Sequence, residues 1–268
     1  MPELPEVESE RRRLEARLRG RRLVAVRIDD ARLTRPADPA AVAALLEGDR
    51  VTGVDRRGKY LLVRLERARV LLVHLRMTGG FRLGRASHAR AVLALDDGGL
   101  VVYRDPRRFG TWALLEPAEA DEHLAVRLGP EPLGRGFTTA FLAGRLAGRR
   151  APVKAAILDQ RTVAGLGNIY ADEALWHARI GPRRAAGSLS GEEVTALRAA
   201  IRTALRLGIR YRGADLGDGA YAGGRMQERF KAYGRADEPC ERCGTPIVRA
   251  RVGGRGTWWC PACQANSS

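Results

Sequence analysis

Along the first 115 residues the apolar positions fall into short runs: LVAVRI (23–28), KYLLVRL (59–65), RVLLVHL (69–75), AVLAL (91–95), LVVYR (100–104) and TWALL (111–115). Runs of this length, rich in Val and Leu and separated by turn residues, predict strands, and several in succession predict a β-sandwich or barrel. Residues 1–19 predict an extended start and then a helix. Pro5 suits its first turn, Glu6 and Glu8 suit its positive end, and Val7, Leu14 and Leu18 share a face. A single helix is predicted among the strands, at 38–47, with Asp38 as cap, Pro39 in its first turn and Gly48 as its stop.

The pattern changes near residue 130. GPEPLGRGF (129–137) reads as a connector, and helical spacing follows at 138–147, 151–159, about 168–178 and 190–207. The last has a Ser190–Glu193 capping box, an apolar face at Val194, Leu197, Ile201 and Leu205, and Gly208 as predicted terminator. Residues 209–235 are glycine-rich and predict a mobile loop. The fold class is therefore α+β. A β-rich domain spans 1–133, a helical domain 134–233 and a cysteine-bearing ribbon 234–268, with a cleft between two basic domains as the place for a duplex.

Composition adds a partner. With 45% hydrophobic and 29% charged residues the chain is globular rather than disordered. No stretch approaches the 18 or so uninterrupted apolar residues of a membrane span, and the acidic start MPELPEVE is unlike a secretory signal. A cytoplasmic chain is expected. Its 47 Lys and Arg exceed its 31 Asp and Glu, a formal charge of +16. That excess points to a polyanion, nucleic acid first, with general solubility charge as the alternative. Only three of the basic residues are lysine: Lys59, Lys154 and Lys231. An ammonium can exchange a proton where a guanidinium cannot, so each is a candidate for chemistry.

All four cysteines lie near the C-terminus, as Cys240-x2-Cys243, sixteen residues, then Cys260-x2-Cys263. This spacing predicts a two-knuckle ribbon around one structural Zn2+, with two strands joined at a Gly-Gly-Arg-Gly turn. Four thiolates leave no position for a water, so catalysis at the metal is not expected. Two disulfides are the alternative, disfavoured in a reducing compartment. At the other end, removal of the initiator methionine would expose the amine of Pro2. An α-amino group titrates near 7.7–8.0, far below lysine, so it is a usable nucleophile toward an aldehyde-like carbon. Glu3 beside it could supply a proton. Pro and Glu also suit an ordinary helix start, and the residues alone leave both readings open.

MPELPEVE, RRGKYLL (56–62), HLRMTG (74–79), YRDPRRFG (103–110), GLGNIYADEALW (165–176) and CERCG…RGTWWCPACQ together resemble the formamidopyrimidine-DNA glycosylase family, in order and over nearly the whole chain. The resemblance implies a two-layer β-sandwich with flanking helices, a helix-two-turn-helix domain and a zinc finger. It also implies excision of oxidised purines, 8-oxoguanine and formamidopyrimidines, from lesion-bearing duplex DNA by a monomer, followed by strand cleavage. Carried onto this chain, Pro2 would be the nucleophile at the sugar C1′ and Glu3 the acid on the ring oxygen. Lys59 would move protons and touch phosphate, and Arg255 would hold the phosphates flanking the lesion. Glu6 would help hold the N-terminal segment. Met77, Arg107 and Phe109 would fill the hole left by the extruded base. His88, Lys154 and Asn168 would contact phosphate. GLGN lacks the third glycine and the preceding strand of a dinucleotide loop, and is expected to offer backbone N–H groups to phosphate.

Two stretches depart from the family pattern: Ala89-Arg90-Ala91 after His88, and the Gly/Arg-rich 209–226, expected to fold over the extruded purine. They bear on base preference more than on mechanism. Two alternatives remain: the endonuclease VIII branch, acting on oxidised pyrimidines, and a non-enzymatic zinc-ribbon DNA-binding protein. Leu4 and the Met/Arg/Phe set favour the purine branch. A nucleoid-associated location in the cytoplasm follows from the same resemblance.

Overall fold

The computed structural model describes residues 2–215 and 223–265. The chain divides into two compact units, one of Met1–Val126 with Asp215–Gly223 and one of Arg127–Ala214 with Gly224–Ser268.

The first unit opens with helix α1 (Leu4–Leu18). Its ten further elements are β1 (Leu23–Ile28), α2 (Pro39–Leu46), β2 (Val51–Arg57), β3 (Tyr60–Leu65), β4 (Val70–His74), β5 (Gly80–Leu83), β6 (Ala89–Leu95), β7 (Leu100–Arg104), β8 (Thr111–Leu115) and α3 (Pro117–Ala125). The strands form two antiparallel four-stranded sheets, ordered β1-β6-β7-β5 and β2-β3-β4-β8. Both sheets feed one core. Leu23, Leu93, Val101 and Tyr103 of the first meet Val54, Leu61, Val63, Leu71 and Trp112 of the second, with Val7, Leu14 and Leu18 of α1. Phe81, Tyr103 and Trp112 interlock across the two sheets, their ring centroids 5.1–6.0 Å apart, a spacing favourable to aromatic pairs.

All six strands expected from the sequence are present, and so is helix 38–47, whose Asp38 accepts from Ala41 N–H. Three further elements appear. β2 was hidden by its charged residues and by Gly53, where the register slips and α1 approaches: a Cβ there would lie 3.8 Å from Glu15 Oε2. β5 has only four residues. Helix α3 begins with Pro117 and a Glu116–Glu119 capping box, a signal present in the sequence but not used.

The second unit contains α4 (Thr139–Leu146), α5 (Val153–Leu158), α6 (Asn168–Ala178), α7 (Gly191–Arg210) and the hairpin β9 (Val248–Val252) and β10 (Arg255–Trp259). Every residue of α6 from Ile169 to Trp176 is buried. The Ser190–Glu193 capping box starts α7 as expected, but Gly208 does not end it. The helix runs through Gly208 to Arg210 and stops where Arg212 and Gly213 take positive φ, with Gly213 N–H donating to Gly208 O at 2.7 Å. The loop expected over 209–235 is also shorter than its glycine content suggested. Residues 216–222 lie outside the described residues. Beyond them Met226–Arg229 form a 3-10 turn, and the next segment is fastened by Glu173.

Glu173, fully buried on α6, accepts the backbone N–H groups of Lys231, Ala232 and Tyr233 at 2.8, 2.9 and 2.9 Å. Burial raises its pKa, opposed by these three donors. They carry the chain from the helices into the ribbon, whose small core joins Trp176, Ala232, Cys240, Ile247 and Cys260. Removing the acceptor strands three donors, each costing about 1–3 kcal/mol when buried. Glu173→Ala is therefore expected to lower stability by about 3 kcal/mol or more, with Glu173→Gln intermediate because one amide oxygen replaces two. Thermal and denaturant melts check both; two unchanged midpoints would contradict the role.

Candidate active site and nucleic-acid interface

Pro2 and Glu3 are buried at the start of α1, and Glu6 Oε2 accepts the Glu3 N–H at 2.8 Å. A terminal segment that would otherwise fray is thereby fixed. β2 runs along α1 toward this end: Val54 N–H reaches Glu15 Oε2, Val54 O accepts from Arg11 at 3.3 Å, and Arg56 Nε lies 3.2 Å from Glu8. Lys59 follows in the turn after β2. Lys59 is not in the strand, as the sequence suggested, but in the two-residue turn Gly58-Lys59, where Gly58 has φ +55°. Glycine at the first turn position suits such a hairpin. Arg56 donates to Gly58 O at 3.0 Å and steadies the turn. At 6% exposure, Lys59 is no surface cation. His74, on β4, was missed by the sequence reading. Burial first, then Arg76 and Lys59, push its pKa down to about 3, so the imidazole is neutral. Its Nδ1 accepts Arg76 N–H at 3.0 Å, which assigns the proton to Nε2.

Met77 and the Arg107–Phe109 set occupy two loops, 75–79 between β4 and β5 and 105–110 between β7 and β8. Each crosses from one sheet to the other. Gly80 pairs with Arg104 and His74 with Thr111, so the two crossovers leave the sandwich side by side. Met77 is half-buried there, Phe109 is half exposed, and the Arg107 guanidinium lies 4.9 Å from the Phe109 ring centroid. The adjacent arginines separate cleanly. Arg108, at φ +57°, forms a bidentate pair with Asp30 at 2.6 and 2.8 Å and holds that carboxyl down near pH 2. Arg107 stays exposed. His88 is exposed with φ +55° in the turn before β6, its carbonyl accepting Asp105 N–H at 3.1 Å.

In the second unit Lys154 does not have the place expected of a phosphate contact. Its side chain is fully buried: Nζ lies 2.7 Å from Asp172 Oδ1 and donates to Gly256 O at 2.9 Å and Thr257 Oγ1 at 2.8 Å. Two of the three donors of the ammonium go to the hairpin oxygens, and its charge lies against the Asp172 carboxyl. Lys154 thus supports the hairpin rather than reaching out. Asn168, the first residue of α6, donates to the same Gly256 O at 2.9 Å. Thr257 Oγ1 donates in turn to Arg255 O at 3.0 Å. Three of the candidate residues therefore converge on one stretch of the hairpin, and Arg255 alone is exposed. Asp172, pushed up to about 7 by burial against the pull of Lys154, also accepts Trp258 N–H at 3.1 Å. The hairpin turn itself is Gly253-Gly254, both at positive φ, and a Cβ on Gly253 would lie 2.9 Å from Ala155 Cβ. In GLGN, Gly165 N–H is already bound by Gln160 Oε1 at 2.9 Å, so that amide is not offered outward as expected.

The four cysteine sulfurs lie within 4.8 Å of one another, with Cys243 Sγ 3.5 Å from Cys260 Sγ and 3.4 Å from Cys263 Sγ. Thiolates around zinc at about 2.3 Å would stand about 3.8 Å apart in a tetrahedron, so the donor set fits the ion. Arg242, between the first two cysteines, stacks on Trp176 at 3.6 Å and donates to the carbonyls of Trp176 and His177 at the end of α6. Among the described residues, no helix is long and apolar enough to cross a membrane.

Three family models match in succession: the formamidopyrimidine-DNA glycosylase N-terminal domain at residues 1–112, its H2TH domain at 128–218, and the zinc finger found in FPG and IleRS at 237–266. The formamidopyrimidine-DNA glycosylase of Herpetosiphon aurantiacus is 45% identical, covering 99% of this chain and all of the relative. The crystal structure of MutM (FPG) protein from Thermus thermophilus superposes with a TM-score of 0.90 at 44% identity, over the full length of both chains. A Lactococcus lactis Fpg in complex with Fapy-dG-containing DNA gives 0.92 at 34% identity, over 98% of this chain and all of that one. The four close thiols, the two-sheet unit and the helical unit with its hairpin are the features those models describe, and the chain belongs to the formamidopyrimidine-DNA glycosylase family.

Proposed function

We propose that the protein is a bifunctional DNA glycosylase and abasic-site lyase that removes oxidised purines, 8-oxoguanine and formamidopyrimidines, from duplex DNA. The observation that carries this reading is the fixed N-terminus: Pro2 and Glu3 buried at the start of α1, with Glu6 holding the Glu3 N–H at 2.8 Å. Once Met1 is removed, the Pro2 amine attacks C1′ of the extruded nucleoside while the Glu3 carboxyl protonates the ring oxygen. The base leaves with its bonding electrons, and the sugar is held as an iminium. That cation acidifies the C2′ proton, so β-elimination expels the 3′ phosphate and δ-elimination the 5′ one. Lys59 moves protons beside it.

Met77, Arg107 and Phe109 fill the vacated stack, and His88, Asn168 and Arg255 act on the phosphates. Lys154 supports the last two from within. Zinc, held by Cys240, Cys243, Cys260 and Cys263, frames the hairpin and takes no part in the chemistry. In this reading 1–133 carries the chemistry, 134–233 the helix-two-turn-helix and 234–268 the zinc finger. The protein works as a monomer on lesion-bearing duplex DNA, in the cytoplasm at the nucleoid. The family membership and the exposed Arg107 favour it over an endonuclease VIII-like activity and over a non-enzymatic DNA-binding ribbon.

Borohydride reduction on 8-oxoguanine DNA is expected to trap the protein through Pro2. Pro2→Gly should trap weakly, and an N-terminal extension that retains Met1 should not trap at all. A peptide map with the adduct on Lys59 would overturn the assignment.

Arg107 donates two hydrogen bonds to an orphaned cytosine but meets a donor on the edge of adenine. Excision opposite C should exceed that opposite A by about 1–3 kcal/mol in activation free energy, one to two good hydrogen bonds, and Arg107→Ala should flatten the difference. Single-turnover rates on the two duplexes decide it, and equal rates in the unaltered protein would remove Arg107 from this role.

Arg255→Ala should keep one bound zinc and near-native thermal stability, since an exposed substitution usually costs under about 0.5 kcal/mol. Its DNA affinity should fall with a log–log salt slope shallower by about 0.9, the loss of one phosphate contact. Cys260→Ser should lose metal and DNA binding together. Unchanged affinity and slope in Arg255→Ala would leave the ribbon purely structural.

A further inference from the structure

We propose that Thr78 and Asp105 are positioning residues that lock the Met77 loop to the Arg107–Phe109 loop and thereby set the choice of opposite base. This rests on the proposed role of those three side chains at the vacated stack.

The two loops come from different crossovers, and nothing in the ladders themselves bonds one to the other. Asp105 does so. Its Oδ1 accepts the Thr78 hydroxyl at 2.5 Å, and its Oδ2 accepts Gly110 N–H at 2.7 Å. Thr78 Oγ1 also accepts Arg107 N–H at 3.3 Å. The hydroxyl is thus a relay: its single proton goes to the β7–β8 crossover, and a lone pair takes the amide of the residue whose guanidinium does the reading. A hydroxyl on a carboxylate at this length is among the stronger neutral-to-ion hydrogen bonds. Asp105 is 1% exposed and ties in a third segment, its N–H to His88 O at 3.1 Å and its carbonyl to Arg90 Nε at 2.9 Å.

Packing reinforces the lock from below. The Tyr103 hydroxyl lies where side chains at 79 and 110 would be: a Cβ on Gly79 would fall 2.1 Å from it and one on Gly110 1.8 Å. Both loops therefore close over one phenol, and neither glycine can be replaced without displacing it. Asp30 then claims Arg108, so the turn has one register and Arg107 is the arginine left outward. A binding constellation must be held to within about 0.5 Å, and the Thr78–Asp105 bond ties the two loops together beyond the ladder pairs at their ends.

Thr78→Val preserves the shape and deletes the relay; Thr78→Ser keeps it. Neither residue is among those assigned to the reacting sugar. Single-turnover excision of 8-oxoguanine opposite C and opposite A is measured beside cleavage of a preformed abasic site. Thr78→Val is expected to lower the C-over-A preference roughly five- to tenfold, the scale of one hydrogen bond, while abasic cleavage stays within about twofold. Thr78→Ser should restore the preference. The double variant with Arg107→Ala should match Arg107→Ala alone, because Thr78 acts through it. A duplex with 2-aminopurine beside the lesion should report weaker unstacking in Thr78→Val. Should Thr78→Val melt early, Asp105→Asn with the same fluorescence readout replaces it. An unchanged preference in Thr78→Val, an equal fall in both activities, or additive effects in the double variant would each overturn the proposal. Absence of any preference in the unaltered protein would instead overturn the role given to Arg107.

Discussion

The exposed chemistry of the first unit depends on a buried carboxylate with no freedom to move. Asp105 follows directly on a strand of one sheet, at a point where two crossovers must pass, and it satisfies donors from both. Burying a charged group without partners is costly, so the surrounding backbone is obliged to present those donors. The loops carrying Met77, Arg107 and Phe109 are shaped by that obligation. Their exposed side chains can be polar, aromatic or flexible because the backbone beneath them is fixed by something else.

The second unit repeats the device with different atoms. Asp172 neutralises Lys154, Lys154 grips Gly256 O and Thr257, and the hairpin tip that presents Arg255 is held from inside the protein. Glu173, one residue along α6, fastens the strand of chain leading into the same hairpin. Two consecutive acids in the buried middle of one helix therefore determine where the ribbon attaches and where its arginine stands. The cysteine knuckles pack on the C-terminal end of the same helix, through Trp176 and Arg242.

Much of this was legible from residues alone. Strand runs, helix caps and the cysteine spacing report local physics, and they led to most of the elements and to the four thiols that come together. β2 was missed because its apolar alternation is interrupted by Gly53 and by charges, one of which, Arg56, serves Glu8 of α1. The end of α7 was misjudged because a glycine in a helix and a glycine that stops one look alike; only the positive φ at Arg212 and Gly213 separates them. Lys154 shows the larger limit. Motif matching identified it as important but not as buried, since its partners Asp172 and Thr257 lie far away in sequence. The resemblance singled out Arg107, and the physical reason lies equally far off in sequence: Asp30 takes Arg108 and leaves Arg107 exposed.

The acids inside this protein also shape what lies outside it. Among the described residues, eight carboxylates and two lysines are buried, but no arginine. Part of the negative charge is withdrawn into the interior, where backbone amides and a few cations absorb it, and the surface is left with an excess of guanidinium groups. On the proposed reading this surface follows the polyphosphate of any duplex, whatever its sequence. Encounter would then begin far from damage and proceed by sliding, with a rate set by ionic strength. Search and recognition would thus rest on separate residues: a diffuse outer cloud of arginines for travel, and one locked pair of loops for the decision to stop.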